Sequence, residues 1–227
     1  MADTSTVLRA ETWGAIYGTA QAAVSAADAS VTERRAYALC RPPGHHAFAD
    51  CAGGFCYINN TAVAAQRMRS MLRGRVAVLD IDVHHGNGTQ GIFYERADVL
   101  TVSIHADPNT YFPYFAGYAD ETGSGEGRGF NHNITLPHGS HDDVWLAAVN
   151  EGLERIARFS PSGIVVALGL DAAEHDPLGV LKVTTDGFAR AARAISKVNV
   201  PITLIQEGGY ACADLPTNLV AFLREFS

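Results

Sequence analysis

The chain has 227 residues, of which 47% are apolar and 18% charged. That is enough apolar material for a packed core, which excludes a disordered chain, and the length suits one α/β domain or at most two small ones. Twenty-four acidic residues against 17 Lys and Arg give a formal charge of −7, the wrong balance for a nucleic-acid binder, which gathers cations against phosphates.

The elements follow in chain order. Residues 11–29 are Ala-rich and read as a helix, 35–40 as a short strand and 61–73 as a helix. Residues 76–83 (VAVLDIDV) form an apolar run rich in β-branched side chains, the pattern of a strand buried on both faces. Residues 99–105 repeat that pattern. An amphipathic helix is expected over 142–158 and a buried strand over 163–168 (GIVVAL). Thr184, Thr185 and Asp186 suit the start of a helix over 184–197. A further buried strand at 202–206 and a closing helix at 214–226 complete the chain. The alternation predicts an α/β fold, a mostly parallel sheet with helices on both faces. Trp13 and Trp145 fall inside helices and are expected to pack. No apolar run approaches the ~18 residues of a membrane helix, and the start of the chain lacks the pattern of a signal peptide. Cys40, Cys51, Cys56 and Cys212 form no CxxC pair and read as reduced, mostly buried thiols of a cytoplasmic protein.

Polar segments follow the predicted strands at 41–46 (RPPGHH), 80–88 (DIDVHHGNG), 103–108, 169–177 (GLDAAEHDP) and 206–210 (QEGGY). In parallel sheets, sites gather at the carboxyl ends of strands, so the five segments are expected to form one composite site. Asp80, Asp82 and His84 recur at every second residue, and strand alternation would turn all three to one side. A single polar residue there is usually a turn former. Three together inside a fold are costly without a cation. With Asp171 beyond the strand at 163–168, Asp82 and His84 make an Asp₂His set with an open position, the pattern of a catalytic zinc site. Asp80 is left to orient an imidazole or hold a monovalent cation. His45 and His46, on a loop stiffened by Pro42 and Pro43, can act as general base and acid. Asp80 and Asn87 suit them as partners, which would separate their pKa values. Such a pair alone also fits an ordinary surface loop. Tyr210, after Gly208 and Gly209, can donate to a developing oxyanion, although Tyr after two glycines also fits a plain turn. His105, His132, His138, His141 and His175 have no ligand spacing and read as structural or surface residues.

The stretches RPPGHHA (41–47), GGFCYINNTAVAA (53–65), DIDVHHGNGTQ (80–90), GLDAAEHDPLG (169–179) and EGGY (207–210), in that order, resemble the histone deacetylase superfamily, in its acetylpolyamine amidohydrolase-like and class II deacetylase-like branch. Residues 111–129 resemble the bacterial-type amidohydrolases. The resemblance implies an arginase/deacetylase-type α/β fold, with residues 1–227 as a single catalytic domain. It also implies zinc-dependent removal of an acetyl or other acyl group from the amine nitrogen of an acetylpolyamine or acetyl-lysine, through metal-activated water. By matching position, Asp82, His84 and Asp171 are the implied Zn²⁺ ligands. His45 and His46 are the implied tandem histidines, with Asp80 and Asn87 behind them; His46 is read as the base and His45 as its acid or electrostatic partner. Tyr210 is the implied oxyanion donor, Gly54 the residue whose carbonyl meets the amide N–H, and Phe55 and Phe112 the channel walls. A structural K⁺ is implied at Asp80, Ser103 and the backbone carbonyls of Asp82, His84 and Ile104. Gly86 stands where arginase-like relatives carry a bridging carboxylate, so one metal is expected rather than two. The family's first strand, early helices and acidic rim residue have no evident counterpart here. That implies exposed apolar surface suited to cover by another chain in a homo-oligomer, and it keeps open a non-catalytic binding or assembly module.

Overall fold

The computed structural model describes residues 3–4 and 6–227. In chain order these residues form helix α1 (Thr12–Glu33), strand β1 (Arg35–Ala38), α2 (Asn60–Leu72), β2 (Val76–Asp80), α3 (Asn87–Phe93), β3 (Val99–Ala106), β4 (Asn131–Leu136), α4 (Asp142–Phe159), β5 (Gly163–Leu168), α5 (Thr185–Ser196), β6 (Ile202–Gln206) and α6 (Leu215–Phe226). The strands make one sheet in the order β1-β6-β5-β2-β3-β4, and every pairing is parallel. All carboxyl ends therefore lie along one edge. This is an α/β fold of the arginase/deacetylase type. β2, β3, β5 and β6 are buried at every residue, which is why they read as unbroken apolar runs.

Two cores flank the sheet. One gathers Trp145, Ile156, Phe188 and Phe222 from α4, α5 and α6. The other is built mainly from small side chains, Ala23, Ala26 and Ala27 of α1 and Ala62, Ala64 and Ala65 of α2, around Met68. Asn59 accepts the Ala62 N–H at the start of α2, and Thr184 accepts the Gly187 N–H at the start of α5. Each cap contributes about 1 kcal/mol.

The structure departs from the sequence expectations in several places. β2 stops at Asp80, short of Val83. There the Asp80 carboxylate accepts the Asp82 N–H (3.1 Å) and the Asp82 carboxylate accepts the His84 N–H (2.9 Å). These local bonds replace the sheet ladder, so a turn rather than strand alternation presents Asp82 and His84. β4 escaped the reading because Asn131, His132 and Asn133 interrupt its apolar pattern at the sheet edge. α3 is short and carries no side-chain cap. Trp145 is fully buried, whereas Trp13 is 64% exposed and stacks on the exposed Tyr17. The buried stripe of α1 begins at Ile16, so its first turn stays outside the packed face. Cys40 and Cys56 are buried, Cys212 is half-buried and Cys51 is exposed, and no disulfide joins them. β1 forms one edge of the sheet, and Leu39 beside it is exposed. Among the described residues, no helix is long and apolar enough to cross a membrane.

Candidate active site

The five polar segments meet at the carboxyl edge. Asp82, His84 and Asp171 each offer one ligand atom, and these atoms all lie within 4.8 Å of one another. His84 Nδ1 is 3.1 Å from both Asp82 Oδ1 and Asp171 Oδ2. Both carboxylates are fully buried, and backbone donors hold their remaining oxygens. The Val83 N–H reaches Asp171 Oδ1 at 3.0 Å, and the Gly208 N–H reaches Asp82 Oδ2 at 2.8 Å. Position 208 must be glycine, because a Cβ there would collide with the carboxylate oxygens of Asp171 and Asp82.

No Lys or Arg pairs with either carboxylate among the described residues. Burial and the neighbouring Asp82 push the Asp171 carboxyl up to about 6. Burial would raise Asp82 as well, but His45 and His84 hold it well below the usual carboxylate range. Burial would lower His84, but its bonds to Asp171 and Asp82 lift it to about 9. The two buried acids thus lean only on imidazoles for positive charge, both on His84 and Asp82 also on His45. A divalent cation would balance them and take the place of the His84 proton. The O, O, N donor set fits zinc.

The tandem histidines stand next to this cluster. Their ring centroids are 4.0 Å apart. His45 Nδ1 meets Asp80 Oδ2 at 2.9 Å, with its Nε2 3.8 Å from Asp82 Oδ1. His46 Nδ1 meets Asn87 Oδ1 at 2.6 Å. The amide oxygen can only accept, so His46 carries its proton on Nδ1 when neutral. Burial would lower the His45 pKa, but the Asp82 and Asp80 carboxylates outweigh it and hold it well above the ordinary value. For His46, burial is reinforced by His45 and His84, and its pKa falls well below that value.

An apolar channel of about 430 Å³ leads to the cluster, lined by Gly54, Phe55, His84, Tyr111, Phe112 and Leu178 among others. Gly54 has φ +57°, and a side chain there would strike the His46 ring. Phe112 packs edge-on against His46 at 5.2 Å, and Phe55 packs against Tyr210 at 6.1 Å. The Tyr210 N–H donates to Asp176 Oδ2 (2.7 Å). Burial, then Asp82 and Asp171, raise the pKa of its phenol. Asp80 and Ser103 are register partners across β2 and β3, with Ile104 next along β3.

Sequence reasoning missed three residues here. Tyr111 stacks on the His84 ring at 4.9 Å, and its hydroxyl donates to the Leu178 carbonyl. Asp3 accepts the Gly54 N–H at 2.7 Å, which sets an acidic group against a residue that lines the channel. Its partner is 51 residues away, and nothing local signals the contact. His85 is buried, with Nε2 on Gln90 at 3.1 Å. Of the histidines read as structural or surface, His105 is buried between Ser103 and the Gly117 carbonyl, and His175 is exposed beside Asp214.

Known proteins resemble this chain over its whole length. The acetylpolyamine amidohydrolase of Burkholderia pseudomallei is 48% identical over 228 residues, covering 100% of this chain and 66% of that protein. Acetylpolyamine amidohydrolase 1 of Pseudomonas aeruginosa is 46% identical over 99% of this chain and 65% of its own length. A crystal structure of the acetylpolyamine aminohydrolase from Burkholderia pseudomallei superposes with a TM-score of 0.92 at 49% identity, covering 95% of this chain and 63% of that one. The chain therefore spans about two thirds of the length of the relatives it matches. The family described as histone deacetylase domain matches residues 1–226. This chain belongs to the histone deacetylase domain family.

Proposed function

We propose that the chain is one deacetylase-type catalytic domain that removes the acetyl group from an acetylated polyamine with the help of a single zinc ion. The observation that carries this reading is the convergence of Asp82, His84 and Asp171 within 4.8 Å, beside two imidazoles with different partners and at the foot of an apolar channel. Zinc held by those three residues would polarise the acyl carbonyl and acidify a water molecule.

The chain's own residues supply the rest. Phe55 and Phe112 flank the methylene chain and exclude water, and the Gly54 carbonyl accepts the amide N–H. His46, neutral and with Nδ1–H fixed on Asn87, takes a proton from the attacking water at Nε2. His45, held on Asp80, is the electrostatic partner of His46 and steadies the negative charge that develops on the attacking water oxygen as its proton leaves. Tyr210 donates to the oxyanion. His46 then returns its proton to the leaving nitrogen, and the products are the amine and acetate. Asp80 and Ser103, with the carbonyls of Asp82, His84 and Ile104, are suited to a structural potassium ion behind the site.

The polyamine assignment is supported by the names of the relatives. A charge of −7 favours polycations at long range but also lysine-rich peptides, so the substrate must be tested directly. Cysteines without disulfides fit work in the cytoplasm. Amine release from N-acetylputrescine, N-acetylspermidine and an acetyl-lysine peptide separates the readings. The expected result is a higher kcat/KM for the acetylpolyamines. A folded, zinc-loaded chain that releases no amine from any of them would instead be a binding module.

A further inference from the structure

The segment before Tyr210 contains an acid that no step above uses. Glu207 lies just beyond β6 and is fully buried. A carboxylate in that position is costly unless donors satisfy it. No Lys or Arg does so among the described residues. Instead, Oε2 accepts the N–H of Gly44 at 2.6 Å and of His45 at 3.0 Å, and Oε1 accepts the Thr61 hydroxyl at 2.6 Å. Two successive backbone N–H groups aimed at one oxygen form a small anion nest. β6 is the sheet neighbour of β1, the strand from which the twin-histidine loop departs. The same strand end bonds Asp82 through the Gly208 N–H at 2.8 Å. Residues 207 and 208 therefore hold both halves of the site at once, the histidine loop by a side chain and a metal-facing carboxylate by the backbone.

We infer that Glu207 is a positioning residue for amide hydrolysis, clamping the backbone of Gly44 and His45 so that both imidazoles keep their places relative to Asp82. This inference rests on the reading of His45 and His46 as reaction groups. The clamp uses acceptor geometry, not charge. A glutamine can turn its carbonyl oxygen to the two N–H groups and its NH₂ to the Thr61 hydroxyl, which also accepts. Alanine leaves both N–H groups buried and unpaired.

The test compares zinc-loaded wild type, Glu207→Gln and Glu207→Ala by kcat and KM on N-acetylputrescine, by zinc per chain, and by ¹H–¹⁵N spectra with amide exchange. Gln should keep kcat near wild type. Ala should lower kcat by about 10–100-fold, as loss of an orienting partner does, with KM and zinc content unchanged and the Gly44 and His45 amide signals moving most. The assignment is overturned if Gln falls as far as Ala, if Ala keeps full kcat, or if Ala loses zinc and kcat together. Should Glu207→Ala not fold, Thr61→Val reads the clamp from its other end. It should lower kcat severalfold and move the same two amide signals; unmoved signals with full kcat overturn the inference. If wild type hydrolyses no acetylated amine, the functional reading fails, while protection of the Gly44 and His45 amides in wild type and its loss in Thr61→Val still test the clamp.

Discussion

His45 and His46 are adjacent, chemically identical and 4.0 Å apart, yet their surroundings drive them in opposite directions. One meets a carboxylate oxygen of Asp80, the other an amide oxygen of Asn87. Burial disfavours the cation in both. Only His45 has enough nearby negative charge, from Asp82 and Asp80, to overcome it. Proton state in a buried pair is thus set by the partner atom, and one loop can present a cation and a neutral base side by side.

The largest expected effect comes from removing the neutral member. His46→Ala should lower kcat by about 10²–10⁴-fold, the usual contribution of a general base, with a smaller loss for His45→Ala. Steady-state kinetics in the reverse order would exchange the two roles. Neither imidazole is assigned the oxyanion, which falls to Tyr210. Tyr210→Phe should therefore cost roughly 10²–10³ in kcat, and unchanged turnover would return that task to the histidine pair. Asn87→Ala should cost about 10–100-fold through misorientation of His46. Asn87→Asp makes the two partners alike. It should raise the His46 pKa and move the acid limb of the kcat/KM profile to higher pH, because the base must lose its proton to act.

The smallest effect is on stability. His84 is raised to about 9 in the metal-free fold, so its contribution is present below the unfolded value of about 6.5 and is lost as pH rises through 9. His45, also raised, acts with the same sign. Thermal melts with chelator should show stability falling between about pH 6.5 and 9, by roughly 3 kcal/mol from His84 alone. Zinc binds the deprotonated imidazole, so its stabilising effect should grow over the same range. A flat metal-free profile would mean that His84 does not carry the raised pKa.

Legibility followed the same division between charge and environment. The four fully buried strands were readable because parallel strands carry unbroken apolar runs, and the site segments because they follow strand ends. The need of each imidazole for an acceptor pointed to Asp80 and Asn87, which lie 2.9 and 2.6 Å from the rings. Backbone donors leave no such trace. The turn after Asp80, the Glu207 clamp and the Asp3 contact all depend on N–H groups, which every residue but proline carries. β4 was hidden by its asparagines, and Trp13 by a helical stripe that starts one turn later than the helix.

The central claim is that one zinc ion on Asp82, His84 and Asp171 makes this fold an amide hydrolase. Acetate release from N-acetylputrescine, followed while Zn²⁺ is titrated into chelator-stripped protein, tests it most directly. The account predicts no release at the start and activity that saturates at about one zinc per chain. Full activity without metal, or none with that single ion bound, would contradict it.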